Sequence, residues 1–308
     1  MDDFDTKKNK NIAFIGLGRM GIAMVERLLE YGYQVHVTDV DASAREKAGR
    51  LGATVYQDSV GLVSGMPEMS LVWIMVPAQF VDEVIKSVQD KLPMSSTIVD
   101  GGNSDYRESK RRHQELRAKS IHFLDCGTSG GVEGARQGAS LMVGGEKEVF
   151  TAHEDVFKTL ATKDGYALVG DAGAGHFVKA VHNAIEYGMM GALAEGFALL
   201  ESSKEEFGIK VDEVVKPYAN GSIISSRLLD WLISGYKEGM LDEVTGVVPV
   251  GETENKMKHL TELGNMFVLD ASIEQRISTR KEPARVGKYI SIMRYKFGGH
   301  KPNRPNNK

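Results

Sequence analysis

Short apolar runs alternate with amphipathic segments through the first half of the chain. Helical periodicity of apolar positions is clearest at 19–31, 41–51 and 104–119. Six apolar runs rich in β-branched and aromatic residues lie at 12–16, 34–38, 71–75, 96–100, 121–125 and 166–170. Such runs are typical of strands buried on both faces of a parallel sheet. The alternation predicts an α/β domain built on a doubly wound parallel sheet.

The pattern changes after Gly170. A glycine-rich break at 171–175 precedes a proline-free stretch of helical period from His176 to Glu201, and no convincing strand follows it. The last residues, 295–308, contain two glycines, two prolines and many polar side chains, too little apolar surface for a core of their own. We therefore expect a sheet domain over 1–172, an all-helical domain over 173–294, and a short C-terminal tail over 295–308.

Composition excludes several classes of protein. The 308 residues are 42% hydrophobic and 26% charged with a net charge of −4, so the basic excess of a nucleic-acid binder is missing. No apolar run approaches the roughly 20 residues that span a bilayer, and the polar start has no apolar signal region. The single Cys126 cannot form an internal disulfide, and no Cys/His spacing indicates zinc. We expect a cytoplasmic protein without metal, nucleic-acid or membrane partners.

A G-x-G-x-x-G motif follows the first predicted strand and opens the first predicted helix. Its first glycine permits the tight turn, its second lets a pyrophosphate approach the backbone, and its third permits close packing of helix on strand. A glycine-rich turn in an unrelated α/β protein is the alternative. The residues predicted to bind a dinucleotide are Gly16, Leu17, Gly18, Arg19, Met20 and Gly21.

Asp39 ends the second predicted strand, where an acidic side chain can accept hydrogen bonds from ribose hydroxyls. A carboxylate there would repel the 2′-phosphate of NADP. No arginine lies immediately beside it in the sequence, since Arg45 is six residues further on, in the next predicted helix. The position therefore favours NAD over NADP. A solvated acid at the end of a strand is the other interpretation.

The long predicted helix carries four polar residues on one stripe. Lys179, His182, Asn183 and Glu186 follow one another at i, i+3, i+4 and i+7, and Tyr187 borders them. The rest of the helix is largely apolar, so the stripe should face a cleft or a partner. A lysine and a glutamate with separately tuned pKa values suit a base and an acid. A solvated face with a Lys–Glu pair explains the spacing equally well.

Two glycine loops follow predicted strands, at 100–104 and at 127–132. The carboxyl ends of strands are where open α/β sheets bind ligands, and paired glycines expose N–H groups to an anion. Ordinary turn chemistry explains either loop alone. Cys126, beside the second loop, has no evident base, so we interpret it as a small buried hydrophobe rather than a nucleophile.

Five segments together resemble the decarboxylating 6-phosphogluconate dehydrogenase family, within the larger β-hydroxyacid dehydrogenase group. They are GLGRMG (16–21), MVPA (75–78), DGGNSDYRES (100–109), GTSGGVEGARQGASLMVGG (127–145) and GHFVKAVHNAIEYGMM (175–190). The length is similar to that of the short, often NAD-dependent form. The resemblance implies a Rossmann-type domain and conversion of 6-phosphogluconate to ribulose 5-phosphate and CO₂, within gluconate catabolism or a pentose phosphate cycle.

Residue by residue, the resemblance implies that Lys179 is the general base and acid and that Glu186 protonates the enediol. Met75, Val76, Pro77 and Asn103 would border the nicotinamide. Arg276 matches a phosphate-binding arginine, whereas Arg294 and His300 match residues that reach the active site of a neighbouring subunit, so a homo-oligomer is expected. The substrate contacts would be Asn103, Ser129, Gly130, Gly131, His182, Asn183, Tyr187, Arg276, Arg294 and His300.

One segment departs from the family pattern. Where members carry G-x-G-[KR]-W, this chain has VPVGETENKMKH (248–259) without tryptophan, so the basic substrate contact is unassigned, with Lys256 and Lys258 nearest. Two other functions stay open. An enzyme of the 3-hydroxyisobutyrate type would share the lysine helix without needing Glu186 or Arg276. A non-catalytic dinucleotide sensor would leave the polar stripe unexplained.

Overall fold

The computed structural model describes residues 10–66, 71–251 and 253–304. The N-terminal stretch 1–9, which includes most of the polar start, lies outside the described residues. The chain divides into two compact units, 1–179 and 180–308, and the division falls inside one long helix. Among the described residues, no helix is long and apolar enough to cross a membrane.

The first unit is built on an eight-stranded sheet in the order β3-β2-β1-β4-β5-β6-β7-β8. Neighbouring strands are parallel except for β6 and β7. The strands are β1 (Asn11–Ile15), β2 (Gln34–Thr38), β3 (Thr54–Val55), β4 (Leu71–Ile74), β5 (Thr97–Asp100), β6 (His122–Ser129), β7 (Ala139–Gly144) and β8 (Ala161–Gly170). The doubly wound α/β fold expected from the sequence is confirmed.

Helices cover both faces of this sheet. Along β1, Phe14 belongs to one apolar layer while Ala13 and Ile15 belong to the other, as expected for a strand buried on both sides. The helices of the first unit are α1 (Arg19–Glu30), α2 (Ala42–Arg50), α3 (Ser59–Gly65), α4 (Val81–Val88), α5 (Tyr106–Arg117), α6 (Gly131–Gln137), α7 (Lys147–Ala152) and α8 (Glu154–Leu160).

Strand β7, which the sequence pattern did not predict, runs antiparallel to β6, so the sheet is mostly rather than entirely parallel. Only residues 130–138 connect these two strands, with the short α6 between them. A parallel crossover needs a dozen or more residues, so a connection of this length returns the chain in the opposite direction. From β7 to β8 the longer connection through α7 and α8 restores the parallel pairing.

The described part of the second unit contains helices and no strand. It continues the helix that begins in the first unit and packs around a core that includes Phe197, Leu229 and Tyr289. The helices are α9 (Ala174–Ser202), α10 (Lys204–Phe207), α11 (Val211–Ala219), α12 (Arg227–Lys237), α13 (Met240–Glu243), α14 (Glu254–Thr261), α15 (Phe267–Lys281) and α16 (Arg285–Gly298).

Helix α16 continues to Gly298, which places residues 295–298 inside a helix rather than in the tail predicted from 295. The side chain of Phe297 explains the difference. It packs against the core of the second unit, and its ring centre lies 5.5 Å from that of Trp231. One aromatic residue therefore extends the helix by a turn into a polar sequence.

Candidate active site

The loop between β1 and α1 has the geometry that a dinucleotide-binding turn needs. Gly16 has a φ of +102°, and a Cβ there would lie 2.5 Å from the carbonyl oxygen of Met75. A Cβ on Gly21 would lie 2.2 Å from the carbonyl oxygen of Gly16. Around Gly18, by contrast, no heavy atom lies within 4 Å of a Cβ position. The first and third glycines are therefore required by packing, and the second leaves the open approach that a pyrophosphate would use.

Asp39 follows β2 and is held against this loop. Its carboxylate accepts hydrogen bonds from the backbone N–H of Leu17 at 2.5 Å and of Asp41 at 2.8 Å. These bonds fix the carboxylate beside the glycine turn, at the end of the strand where a ribose would lie.

Arg45, six residues beyond Asp39 in the sequence, is its neighbour in space. Arg45 belongs to α2, but its guanidinium turns back and donates to the carbonyl oxygen of Asp39 at 2.6 Å, and also to Gln57. The separation of six residues concealed this contact, because one helical turn brings the side chain back over the start of α2. A carboxylate and a guanidinium therefore lie together at the end of β2.

The two glycine loops lie together at the carboxyl edge of the sheet. The hydroxyl of Thr128 donates to the carbonyl oxygen of Gly101 at 3.3 Å. A Cβ on Gly102 would lie 3.0 Å from the carbonyl oxygen of Val76. The loop that carries Asn103 therefore lies directly beside the segment 75–78, and the two segments expected to border a nicotinamide are neighbours. Gly130 and Gly131 have φ values of +115° and +64° and open α6 immediately after Ser129.

Lys179 lies against the strand that leads into the second glycine loop. A Cβ on Gly127 would lie 2.4 Å from the Cβ of Lys179 and 2.8 Å from the carbonyl oxygen of Gly175. The first turns of α9 thus approach β6 more closely than any side chain at 127 would permit. This contact places the lysine at the carboxyl edge of the sheet.

In the second unit, α9 carries the remaining polar residues of the predicted stripe. The Nδ1 atom of His182 lies 3.3 Å from Oδ1 of Asn183 and 3.9 Å from Oε2 of Glu186. All three side chains are half-buried. The stripe is therefore a connected group of polar side chains rather than a fully solvated face.

A buried arginine lies on the face of Tyr187. The guanidinium carbon of Arg276 is 3.4 Å from the centre of the ring, and the Tyr187 hydroxyl lies 3.0 Å from Oγ1 of Thr253. Burial lowers the pKa of Arg276 to about 10. A guanidinium that is costly to keep charged in this environment is one that a bound anion would stabilise.

Arg294 is also buried, within its own unit. It donates to the carbonyl oxygen of Pro249 at 2.8 Å, and a Cβ on Gly251 would lie 2.9 Å from its Nη2. Burial lowers its pKa. In the single chain, the side chain of Arg294 therefore lies against the segment 249–251 of its own unit, and its expected role in a neighbouring subunit stays a prediction. His300 lies beyond the helix and is exposed.

Residues 254–259 of the segment that departs from the family pattern lie in α14. Glu254 is 4% exposed, makes a two-pronged ion pair with Arg280, and lies 3.3 Å from Nζ of Lys258. The hydrogen bond from Arg280 is the main reason that the pKa of Glu254 is lowered. Lys258 therefore forms an ion pair with Glu254 of its own chain.

Two other features bear on the chemistry. Cys126 is buried, and burial raises the pKa of its thiol, so the interpretation as a small hydrophobe is confirmed. Within the parts of the chain that the structure describes, no group of three His, Cys, Asp or Glu side chains is arranged as a metal site.

Comparison with known proteins identifies the family. The NAD binding domain of 6-phosphogluconate dehydrogenase matches residues 11–170, and the C-terminal domain of the same enzyme matches residues 175–204. The chain belongs to the 6-phosphogluconate dehydrogenase family. An NAD(+)-dependent, decarboxylating 6-phosphogluconate dehydrogenase of Haloferax volcanii is 36% identical over 94% of this chain and 97% of its own length.

Solved structures agree with this family. The 6-phosphogluconate dehydrogenase of Plasmodium falciparum, described with its cofactor NADP+ and its substrate 6-phosphogluconate, is 25% identical, with a TM-score of 0.78 over 88% of this chain and 62% of its own. The 3-hydroxyisobutyrate dehydrogenase of Mycobacterium tuberculosis has a TM-score of 0.72 over 92% of this chain and 97% of its own. At 19% identity, that second likeness shows the fold alone.

Sequence reasoning did not find Thr253 and Arg280 in this member of the 6-phosphogluconate dehydrogenase family, and it did not predict the contact between Arg45 and Asp39. Thr253 and Arg280 lie in or beside the departing segment and gave no motif signal. Arg45 was noticed but placed too far from Asp39. A search for basic residues one or two turns into the helix after the acidic strand end would have found it.

Proposed function

We propose that this protein oxidises and decarboxylates 6-phospho-D-gluconate to D-ribulose 5-phosphate and CO₂, with NAD as the hydride acceptor. Membership of the 6-phosphogluconate dehydrogenase family supports the reaction class. The observation that carries the choice of substrate is the burial of Arg276 and Arg294, at 4% and 7% exposure, in the second unit. Among residues 10–66, 71–251 and 253–304, no carboxylate forms an ion pair with either guanidinium.

Two buried, positively charged groups beside a tyrosine suit a phosphate dianion. Charge-assisted hydrogen bonds from guanidinium to phosphate are among the stronger polar contacts in proteins. The ring of Tyr187 supports the Arg276 guanidinium from one side, Nη2 lies 3.5 Å from the sulfur of Met190, and the remaining N–H groups would be the donors to a phosphate. An unphosphorylated β-hydroxyacid has a carboxylate but no phosphate for these two arginines to bind.

Lys179 would act first, as a neutral amine that accepts the proton of the C3 hydroxyl. A dinucleotide bound at the glycine loop supplies the acceptor for the C3 hydride. The product is a β-keto acid, which loses CO₂ by cleavage of its C1–C2 bond. Lys179, now protonated, would return its proton to the C3 oxygen as the enediol forms.

Glu186 would complete the reaction by protonating the carbon that has lost CO₂. His182 and Asn183 lie beside it on α9 and would bind substrate oxygens, together with Asn103 and the glycine loop 129–131. The open space at Gly18, the turn at Gly16 and the carboxylate of Asp39 fit a dinucleotide. NAD is the proposed partner because Asp39 would repel a 2′-phosphate, although Arg45 lies close to it.

A second candidate is a 3-hydroxyisobutyrate-type dehydrogenase, because the fold is shared over nearly the whole chain. One assay separates the two. Formation of NADH and CO₂ is measured with 6-phosphogluconate and with 3-hydroxyisobutyrate at equal concentrations, and unphosphorylated gluconate is the control for the phosphate. We expect turnover of 6-phosphogluconate only. Turnover of 3-hydroxyisobutyrate with no CO₂ would support the second candidate, and NAD binding without any turnover would refute both.

A further inference from the structure

A buried acid fixes the start of α9. Asp125, on β6, is completely buried, and its two carboxylate oxygens accept hydrogen bonds from the backbone N–H groups of Gly173 at 2.6 Å and His176 at 2.7 Å. The N–H groups at a helix start have no partner within the helix, and a negative charge there is favourable. Asp125 therefore determines where the helix that carries Lys179 begins.

His176, in the first turn of α9, links that helix to a loop of the candidate site. The residue is 3% exposed. Its Nε2 lies 3.2 Å from the carbonyl oxygen of Gly102, and its Nδ1 lies 2.7 Å from the hydroxyl of Ser109 on α5. Because a carbonyl oxygen only accepts, Nε2 carries a proton and donates it to Gly102, while Nδ1 and the Ser109 hydroxyl share a second hydrogen bond.

The same loop is fixed from its other side by a second buried acid. Asp100 accepts hydrogen bonds from the N–H of Gly102 at 3.1 Å and from the hydroxyl of Ser104 at 2.6 Å. Arg112, itself buried, donates to the same carboxylate at 3.0 Å. The segment that contains Asn103 is thus anchored to the end of β5 by Asp100 and to α9 by His176.

We propose that His176 is a positioning residue for the reaction, which ties the Gly102–Asn103 loop to the helix turn before Lys179. The proposal rests on the proposed function, in which Asn103 and Lys179 both contact the substrate. The imidazole contributes no chemistry. It fixes the backbone of the loop relative to that of the helix, and a displacement of about 1 Å in such a group can lower a rate by 10²-fold.

The first test compares His176→Ala with His153→Ala. His153 is also a partly buried histidine of the first unit, but its hydrogen bond is to Thr97 at the opposite end of β5. We expect His176→Ala to lower kcat by roughly 10- to 100-fold. The Kd for NAD should change by less than about threefold, since the glycine loop and Asp39 are untouched, and His153→Ala should retain kcat. Equal kcat in the two variants would overturn the proposal.

Conservative variants separate positioning from simple packing. The amide nitrogen of glutamine can lie near the position of Nε2, whereas that of asparagine lies near Nδ1. We therefore expect His176→Gln, but not His176→Asn, to recover most of the lost kcat. Ser109→Ala, which leaves the imidazole in place, should reduce kcat less than His176→Ala and provides a test if the latter does not fold. Equal losses in the Gln and Asn variants would contradict a role for the bond to Gly102.

A measurement without substrate separates this inference from the proposed function. Amide hydrogen exchange of the wild-type protein and of His176→Gln and His176→Ala is followed in peptides covering 101–105. We expect faster exchange there in His176→Ala than in His176→Gln. Unchanged exchange would overturn the inference even if the wild type is active. A wild type inactive on 6-phosphogluconate would refute the proposed function. The exchange result would still test whether His176 fixes the loop at 101–105.

Discussion

The guanidinium carbon of Arg276 lies 3.4 Å from the centre of the Tyr187 ring, inside the second unit. The stack leaves a cation buried on an aromatic face, with the sulfur of Met190 at 3.5 Å as its hydrogen-bond partner. Stacking and charge together prepare this position for an anion, since the guanidinium is already oriented before any ligand arrives.

We expect Arg276→Met to raise the KM for 6-phosphogluconate by roughly 10- to 100-fold, because a hydrogen bond between charged groups contributes about 1.5–3 kcal/mol. The effect on kcat should be smaller. Arg227→Met is the matched control, since Arg227 also stacks on an aromatic ring, that of Trp231 at 5.1 Å. Steady-state kinetics with 6-phosphogluconate provide the measurement. An unchanged KM in Arg276→Met would show that Arg276 does not bind the phosphate of the substrate.

Lys179→Met should abolish oxidation and leave NAD binding nearly unchanged, because the glycine loop and Asp39 remain intact. General base catalysis contributes typically 10²- to 10⁴-fold. Lys163→Met, on the exposed part of β8, is the control for loss of a lysine from the same unit. The measurements are NADH formation and the Kd for NAD. A variant with more than about a tenth of the wild-type kcat would be incompatible with a base at this position.

Cofactor choice should follow Asp39. We expect kcat/KM to favour NAD over NADP by at least about tenfold, or roughly 1.4 kcal/mol, since a 2′-phosphate would approach a carboxylate. Replacing Asp39 with Ser and the exposed Val40 with Arg should shift the preference toward NADP. Arg45→Ala measures what the neighbouring guanidinium contributes to binding of NADP. A wild type that prefers NADP would mean that Arg45 outweighs Asp39.

His300, like Arg294, is expected to serve a neighbouring subunit. Mixing inactive Lys179→Met chains with inactive His300→Ala chains should then restore part of the activity, because some sites would combine an intact lysine with an intact tail. A second mixture, of Lys179→Met with Arg294→Met, applies the same test to Arg294, and each variant assayed alone is the control. Hybrids verified by mass and lacking activity would show that His300 serves its own chain.

The free energy of unfolding should decrease at acidic pH, and part of this decrease should depend on His153. Burial lowers the pKa of His153 in the folded chain, whereas the unfolded value is about 6.5. Between the two values the unfolded chain binds more protons, so the free energy of unfolding falls as the pH drops below about 6.5. His153→Gln should reduce the difference in Tm between pH 7.5 and pH 5.5. Thr97→Val, which removes the same hydrogen bond but keeps the imidazole, should preserve that difference.

Local pattern predicted much of the first unit and less of the site. The strands that carry Phe14, Trp73 and Leu124 are apolar on both faces, and an apolar run of this kind can be recognised within a few consecutive residues. β7 was missed because ASLMVG is poor in β-branched residues, and its direction depends on the length of a connection rather than on composition. The glycines of the G-x-G-x-x-G motif were recognised for a similar reason, because the motif lies within six consecutive residues.

What could not be predicted is set by contacts between distant segments. The bond from Arg45 to the carbonyl of Asp39 depends on how α2 turns after the strand. The burial of Arg294 depends on the loop at Pro249, which is remote in sequence. The family pattern identified Arg294, and the sequence placed Arg45 six residues from Asp39. Only the three-dimensional path of the chain shows where each guanidinium lies.

Gly127 has a wider consequence, because the placement of the proposed base depends on a residue that has no functional group. A lysine side chain has a fixed length, so an α9 pushed outward by a single methyl group would carry the amine away with it. The reach of Lys179 is therefore encoded in the backbone of a neighbouring strand. A search for reactive side chains would not include Gly127, although any side chain at this position would displace Lys179.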